Sequence, residues 1–173
     1  MKGVTRDIKV HIKDDKGMLL GKSIPRVSIV KYGYFSQEGS LPNPDDEVDI
    51  MARIEKNLKQ SLLAGFIAEG LAPYGVLSRA PESALQIAVF SGMPVVFTGR
   101  GNAGGLTPTF YHSHSPAIAG NNLTSTKARM LLTACLLKFG SLPPAQDPRN
   151  PTAAERAAVM TAIAKYQTIF DTH

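Results

Sequence analysis

No tryptophan occurs in this chain, aromatic residues make up only 7% of it, and its cysteine content is a single residue, Cys135. One thiol excludes an internal disulfide, hence a disulfide-stapled scaffold, and it suits a reducing compartment. No stretch approaches the run of about 18 apolar residues that a spanning helix needs, so no membrane partner is expected. The start, Met1-Lys2-Gly3-Val4-Thr5-Arg6-Asp7, lacks an apolar h-region. A secretory leader is therefore not expected, and the expected location is cytoplasmic. Acids are scarce at the beginning: residues 1–31 hold eight Lys/Arg against three Asp/Glu, while residues 32–173 hold eleven of each. The net charge of +5 thus belongs to one N-terminal segment. Tyr32 and Tyr34 lie beyond that segment, so no stacking platform is interleaved with the charge and no nucleic-acid partner is expected.

What is present is enough for a core. With 173 residues, 43% of them hydrophobic, the chain makes one ordinary domain and not a disordered tail. Ile8, Val10 and Ile12 alternate with Lys9, His11 and Lys13, a period of two that predicts a half-buried strand. Asp15-Lys16-Gly17 is a turn and Met18-Leu19-Leu20 follows, giving a β-hairpin over 8–20. Val27–Val30, Phe66–Ala68 and Val95–Phe97 predict core strands, with a weaker one at 117–119. Between them lie helical patterns. Ile50, Ile54, Leu58 and Leu62 recur every four residues behind three acids at 45–47, and Gly65 is expected to end that helix. Ala84, Leu85, Ala88 and Val89 form a second apolar face, which Gly92 stops. Thr124 caps a third helix, with Ala128, Leu131, Leu132, Cys135 and Leu136 inward. Thr152-x-x-Glu155 is a capping box opening a fourth, with Val159, Ile163, Tyr166 and Phe170 inward. Alternating strands and helices predict an α/β fold around a parallel sheet, with ligands beyond the carboxyl ends of the strands, at 31–35, 69–77 and 98–105.

Several motifs have bland readings that outweigh the chemical ones. Gly99-Arg100-Gly101-Asn102-Ala103-Gly104 has the G-x-G-x-x-G spacing and follows a strand. Leu106-Thr107-Pro108 comes next, however, where a phosphate-binding helix would have to open, so no dinucleotide cofactor is expected. His112-Ser113-His114 offers two imidazoles, but no acid lies between Glu82 and Asp147, and Cys135 falls on a core face. No metal site is expected. No G-x-S-x-G elbow occurs. Glu69, at the end of a predicted strand, is the main carboxylate near the sheet's carboxyl edge. It is a candidate general base; the alternative is a salt-bridged structural acid.

A family resemblance enters at the C-terminal third. Asn122-Leu123-Thr124-Ser125-Thr126-Lys127-Ala128-Arg129-Met130-Leu131-Leu132 resembles the Leu-x-Pro-x-Lys-Ala-Arg-x-Leu-Leu pattern of the bacterial-type asparaginase/glutaminase family. Tyr166-Gln167-Thr168-Ile169-Phe170 resembles that family's closing Ile-Gln-x-Ile-Phe. Pro94-Val95-Val96-Phe97-Thr98-Gly99-Arg100 is similar to its Val-Val-x-Ser-Ser-Arg strand and turn. Pro25-Arg26-Val27-Ser28-Ile29-Val30-Lys31-Tyr32 is similar to its Leu-Pro-x-Val-x-Ile-x-Tyr stretch. The matches run in order over about 25–173 and cover the family's smaller C-terminal domain. The resemblance implies a three-layer, flavodoxin-like or Rossmann-like domain with about four parallel strands at 25–173, preceded by a hairpin or linker segment at 1–24.

The same resemblance limits the chemistry. Family catalysis depends on Thr-Gly-Gly-Thr and Gly-Thr-Asp motifs of a larger N-terminal domain, and neither occurs here. Without nucleophile and base the acyl-enzyme route is closed to the chain alone. The family's C-terminal domain also lends groups to a neighbouring subunit's site. One is an asparagine in a Gly-Asn-Gly-Asn stretch, where this chain reads Ala72-Pro73-Tyr74-Gly75-Val76; another is an acid in the loop after the arginine, where 101–122 holds none. The first expectation is therefore a stand-alone C-terminal domain or detached half, inactive alone, that completes an amidase site. Tyr74, Gly75, Val76, Arg100 and Asn102 would line the edge facing a small amide or amino-acid ligand. The partner would be an N-terminal-domain subunit or a second copy, with no cofactor. The alternatives are a non-catalytic module binding a small polar ligand, and a self-sufficient amidohydrolase using Glu69 with a loop hydroxyl.

Overall fold

The short aliphatic runs form strands and the periodic segments between them form helices. The computed structural model of the chain describes residues 13–20, 23–31, 43–60, 63–71, 75–100 and 116–172. Strands β1 (Arg26–Lys31), β2 (Ala64–Gly70), β3 (Val95–Gly99) and β4 (Ile118–Ala119) pair in parallel, in the spatial order β1-β2-β3-β4. Helices α1 (Val48–Gln60), α2 (Arg79–Phe90), α3 (Ser125–Phe139) and α4 (Ala153–Phe170) surround the sheet. This is the α/β, three-layer, flavodoxin-like arrangement expected. None of the helices described is long and apolar enough to cross a membrane.

Strand alternation sorts the layers, because successive side chains point to opposite faces. Gly65, Ile67 and Glu69 of β2 face α3: a Cβ built on Gly65 would lie 3.0 Å from Leu132 Cδ2 and 3.5 Å from Leu136 Cδ1. Phe66 and Ala68 face the side covered by α1 and α2, which touch each other. Ile67, Leu85, Val89, Val96, Ile118, Leu132 and Leu136 are fully buried between these layers. The capping box at Thr152 forms as the pattern requires, and Thr124 accepts from the Lys127 N–H at the start of α3. At the other end of α3, Gly140 takes φ +80°, a left-handed conformation that costs glycine little.

Two details depart from the sequence reading. Gly65 does not end a helix: α1 is described over Val48–Gln60, and Gly65 sits inside β2. Its missing side chain admits the Pro94 carbonyl, 2.8 Å from where a Cβ would be, as well as α3. The stripe on α1 is also shorter than its period suggests. Ile50 and Ile54 are buried, but Leu58 is 52% exposed, and Leu62 lies outside the described residues. The hairpin expected over 8–20 is described from residue 13, where Lys13 and Leu19 form an antiparallel bridge around Gly17 at φ +76°.

Strand β4 is short, and among the described strands it pairs on one side only. Gln167 of α4 supplies what a fifth strand would: Oε1 accepts from the Ala119 N–H at 2.8 Å and Nε2 donates to the Ala119 carbonyl at 3.2 Å. A side-chain amide thereby closes an edge that would otherwise invite another chain. Gln167→Ala is expected to cost about 1–2 kcal/mol for the lost pair of bonds. Amide exchange at Ala119 should rise selectively, and an unchanged rate there would show that the edge is protected by something else.

Candidate functional site

Strand register brings three polar side chains together at the carboxyl end of the sheet. Lys31 pairs with Glu69, and Glu69 with Thr98, across β1, β2 and β3. All three lie on the α3 face, and the N-terminus of α3 arrives over them. Thr124 is the N-cap of that helix and Ser125 its first residue. Ser125 Oγ donates a short hydrogen bond to Glu69 Oε2, and Lys31 Nζ stands 3.9 Å from Glu69 Oε1. Thr98 is fully buried and its hydroxyl donates to the Ala68 carbonyl at 3.5 Å.

Glu69 is only 8% exposed, and a buried carboxylate needs partners. Here one oxygen has a hydroxyl and the other faces an ammonium, with the positive end of a helix close by. Lys31 keeps most of its side chain in solvent, so its attraction is screened. The cluster therefore has two chemical capacities. It can hold a negative charge at the sheet edge, and it aims a hydroxyl proton at a carboxylate oxygen.

The loop after β2 turns back beside this cluster. Leu71 N–H donates to the Val76 carbonyl at 3.0 Å, and Gly75 N–H to the Leu71 carbonyl at 2.7 Å. Gly75 has φ +66°, so the turn needs glycine there. Val76 is 47% exposed. The Arg100 N–H donates to the Gly70 carbonyl at 2.9 Å, which ties the turn after β3 to the end of β2. Glu69, Gly75, Val76 and Arg100 thus share one edge. Tyr74 and Asn102 lie outside the described residues, as do Gly101–Gly104 of the glycine-rich loop and the pair His112 and His114.

Ser125 is the residue that sequence reasoning did not single out as functional. Its partner lies 56 positions away, and locally it reads as the first residue after a cap. The available signal was topological: a helix packed across β1–β3 must put its start above one end of those strands, and the carboxyl end of β2 carries the acid.

Comparisons with known proteins bear on the fold. No family model matches the chain, and no curated protein matches it. Among solved structures, it is similar to a probable cytoplasmic L-asparaginase from Campylobacter jejuni, with a TM-score of 0.53 and 22% sequence identity. The likeness covers 85% of this chain and 36% of that one, so the chain spans little more than a third of that enzyme's length.

Proposed function

We propose that the chain is a site-completing module of the asparaginase/glutaminase type, which docks on a separate catalytic domain and does not hydrolyse amides alone. One observation carries this reading. The four sequence stretches that resemble the family fall in order on β1, on β3 and its turn, on the start of α3 and on the end of α4. They do so within a fold that matches 36% of an asparaginase-length chain. The edge bearing Gly75, Val76 and Arg100 would face the amide substrate in the assembled site. The exposed Met18, Leu19 and Leu20 beside the hairpin turn would meet the catalytic domain. The test is reconstitution. The purified chain should leave asparagine and glutamine untouched. Mixed with a chain bearing Thr-Gly-Gly-Thr from the same genome, it should form a complex and release ammonia. A mixture that neither associates nor turns over substrate would end the proposal.

The Ser125–Glu69 hydrogen bond favours a second reading, a self-sufficient amidohydrolase. Ser125 Oγ would attack the amide carbon while Glu69 takes its proton and returns it to the departing ammonia; water would then release the acyl group. This reading requires turnover by the chain alone. That turnover should fall about a hundredfold or more in Ser125→Ala and in Glu69→Gln, as for a nucleophile and its base. Ammonia release that survives both substitutions would exclude the pair as its source.

A further inference from the structure

We propose that a groove at the opposite, amino-terminal end of the sheet binds a small phosphorylated molecule. Helix α1 leaves a cleft of about 210 Å³ against the starts of β1 and β2. Arg26 comes to it from β1, and Arg53 and Lys56 come from α1. Ser28, Asn57 and Gln60 add neutral hydrogen-bonding groups, and among the described residues no acid lines the cleft. The ion pairs among the described residues engage Lys31, Lys59 and Arg149, and none engages these three cations. Three like charges around one cleft repel each other unless an anion joins them. The negative end of α1 accounts for Lys59 in its last turn, but neither for Lys56, which precedes that turn, nor for Arg26, which a different element supplies. Guanidinium forks match the oxygens of phosphate, and a dianion suits three cations better than a single carboxylate does.

A second observation concerns the neighbouring lobe. A cleft of about 270 Å³ shares Asn57, Ala64 and Met93 with the first and continues past Ser91 to Leu142 and Pro144. Ser91 is buried and its hydroxyl has no hydrogen-bond partner among the described residues, an unusual cost for a native fold. A change of serine rotamer would turn that hydroxyl to a ligand in the lobe. The floor is apolar, from Phe66 and Met93 in one lobe to Leu142 in the other. The ligand class follows from these parts: a phosphate monoester seated at the cations, with a short body carrying a hydroxyl or carbonyl toward Ser91.

Titration of the full chain with inorganic phosphate, glycerol phosphate, succinate and glycerol at constant ionic strength, followed by amide NMR, tests this. Both phosphates should give saturable shifts at Arg53, Asn57, Gly65, Ser91 and Met93, with glycerol phosphate the tighter. The double variant Arg53→Gln/Lys56→Gln should weaken binding about tenfold or more, while Lys59→Gln on the same helix leaves it unchanged. Ser91→Ala should remove the advantage of glycerol phosphate over phosphate. Should the double variant fail to fold, Arg26→Gln alone must still weaken binding. Non-saturating or scattered shifts, equal loss in Lys59→Gln, equal binding of succinate, or binding of single-stranded DNA with no response to either small phosphate would each overturn the proposal.

Discussion

Gly70→Ala is expected to lower stability by about 3 kcal/mol, at the upper end of overpacking effects, and Gly70→Val by more. A Cβ at this position would lie 2.2 Å from the Gly75 carbonyl oxygen, 2.3 Å from its carbon and 2.7 Å from the Val76 oxygen. All three are backbone atoms, so no side chain can swing aside. The strand conformation of Gly70 is open to any residue; space alone forbids the substitution. Relief requires the 71–76 turn to retreat, which breaks the Leu71–Val76 bridge and the Gly75 N–H bond to Leu71. It also moves Gly75 and Val76 away from Glu69. Against a usual total of about 5–15 kcal/mol, a loss of this size shifts the urea midpoint far while leaving the slope unchanged. A loss below about 1 kcal/mol would mean that the turn yields freely. Gly75 and Val76 would then have no fixed place in any site.

This constraint marks where sequence legibility ends. The apolar faces of α2, α3 and α4 were readable, because period and caps agreed: Ala84, Leu85, Ala88 and Val89, then Ala128, Leu132, Cys135 and Leu136, and Val159, Ile163, Tyr166 and Phe170 are buried as the pattern requires, Leu131 only partly. The parallel sheet was readable from the alternation of strands and helices. Gly65 was not, because a glycine that stops a helix and one that admits a neighbouring carbonyl look alike in one dimension. Leu58 continues an apolar stripe beyond the point where the helix leaves the core, and periodicity carries no information on where the core ends. Glu69 was visible as an acid at a strand end. Its engagement by Ser125 and Lys31 was not, since those residues meet it only through sheet register and the placement of α3.

The second large effect is alkaline. Stability should stay level near neutral pH and fall steeply between pH 9 and 11, because two buried groups keep protons in the fold that the unfolded chain releases. Burial pushes the Cys135 thiol from its ordinary value of 9.0 up to about 11, with Lys138 opposing only in part. Burial also raises the Tyr166 phenol, with a further contribution from Cys135, and its hydroxyl donates to the Gly140 carbonyl. For a raised acid, the stabilising proton is held in full below the unfolded pKa and lost as pH climbs through the folded one. Over that window the folded state binds more protons, so the unfolding free energy declines with pH. The thiol alone accounts for on the order of 3 kcal/mol across two pH units. Urea unfolding at pH 7, 9, 10 and 11 would measure the decline. Cys135→Ala should flatten it, and adding Tyr166→Phe should flatten it further. The native thiol should also react with a disulfide reagent no faster than the chain unfolds, since it is both covered and protonated. An alkaline decline that persists in the double variant would place the responsible protons elsewhere. The packing of α3 against α4, where the Phe139 and Tyr166 rings meet at a tilt of 54° with centroids 5.2 Å apart, would then not be the pH-sensitive joint of the domain.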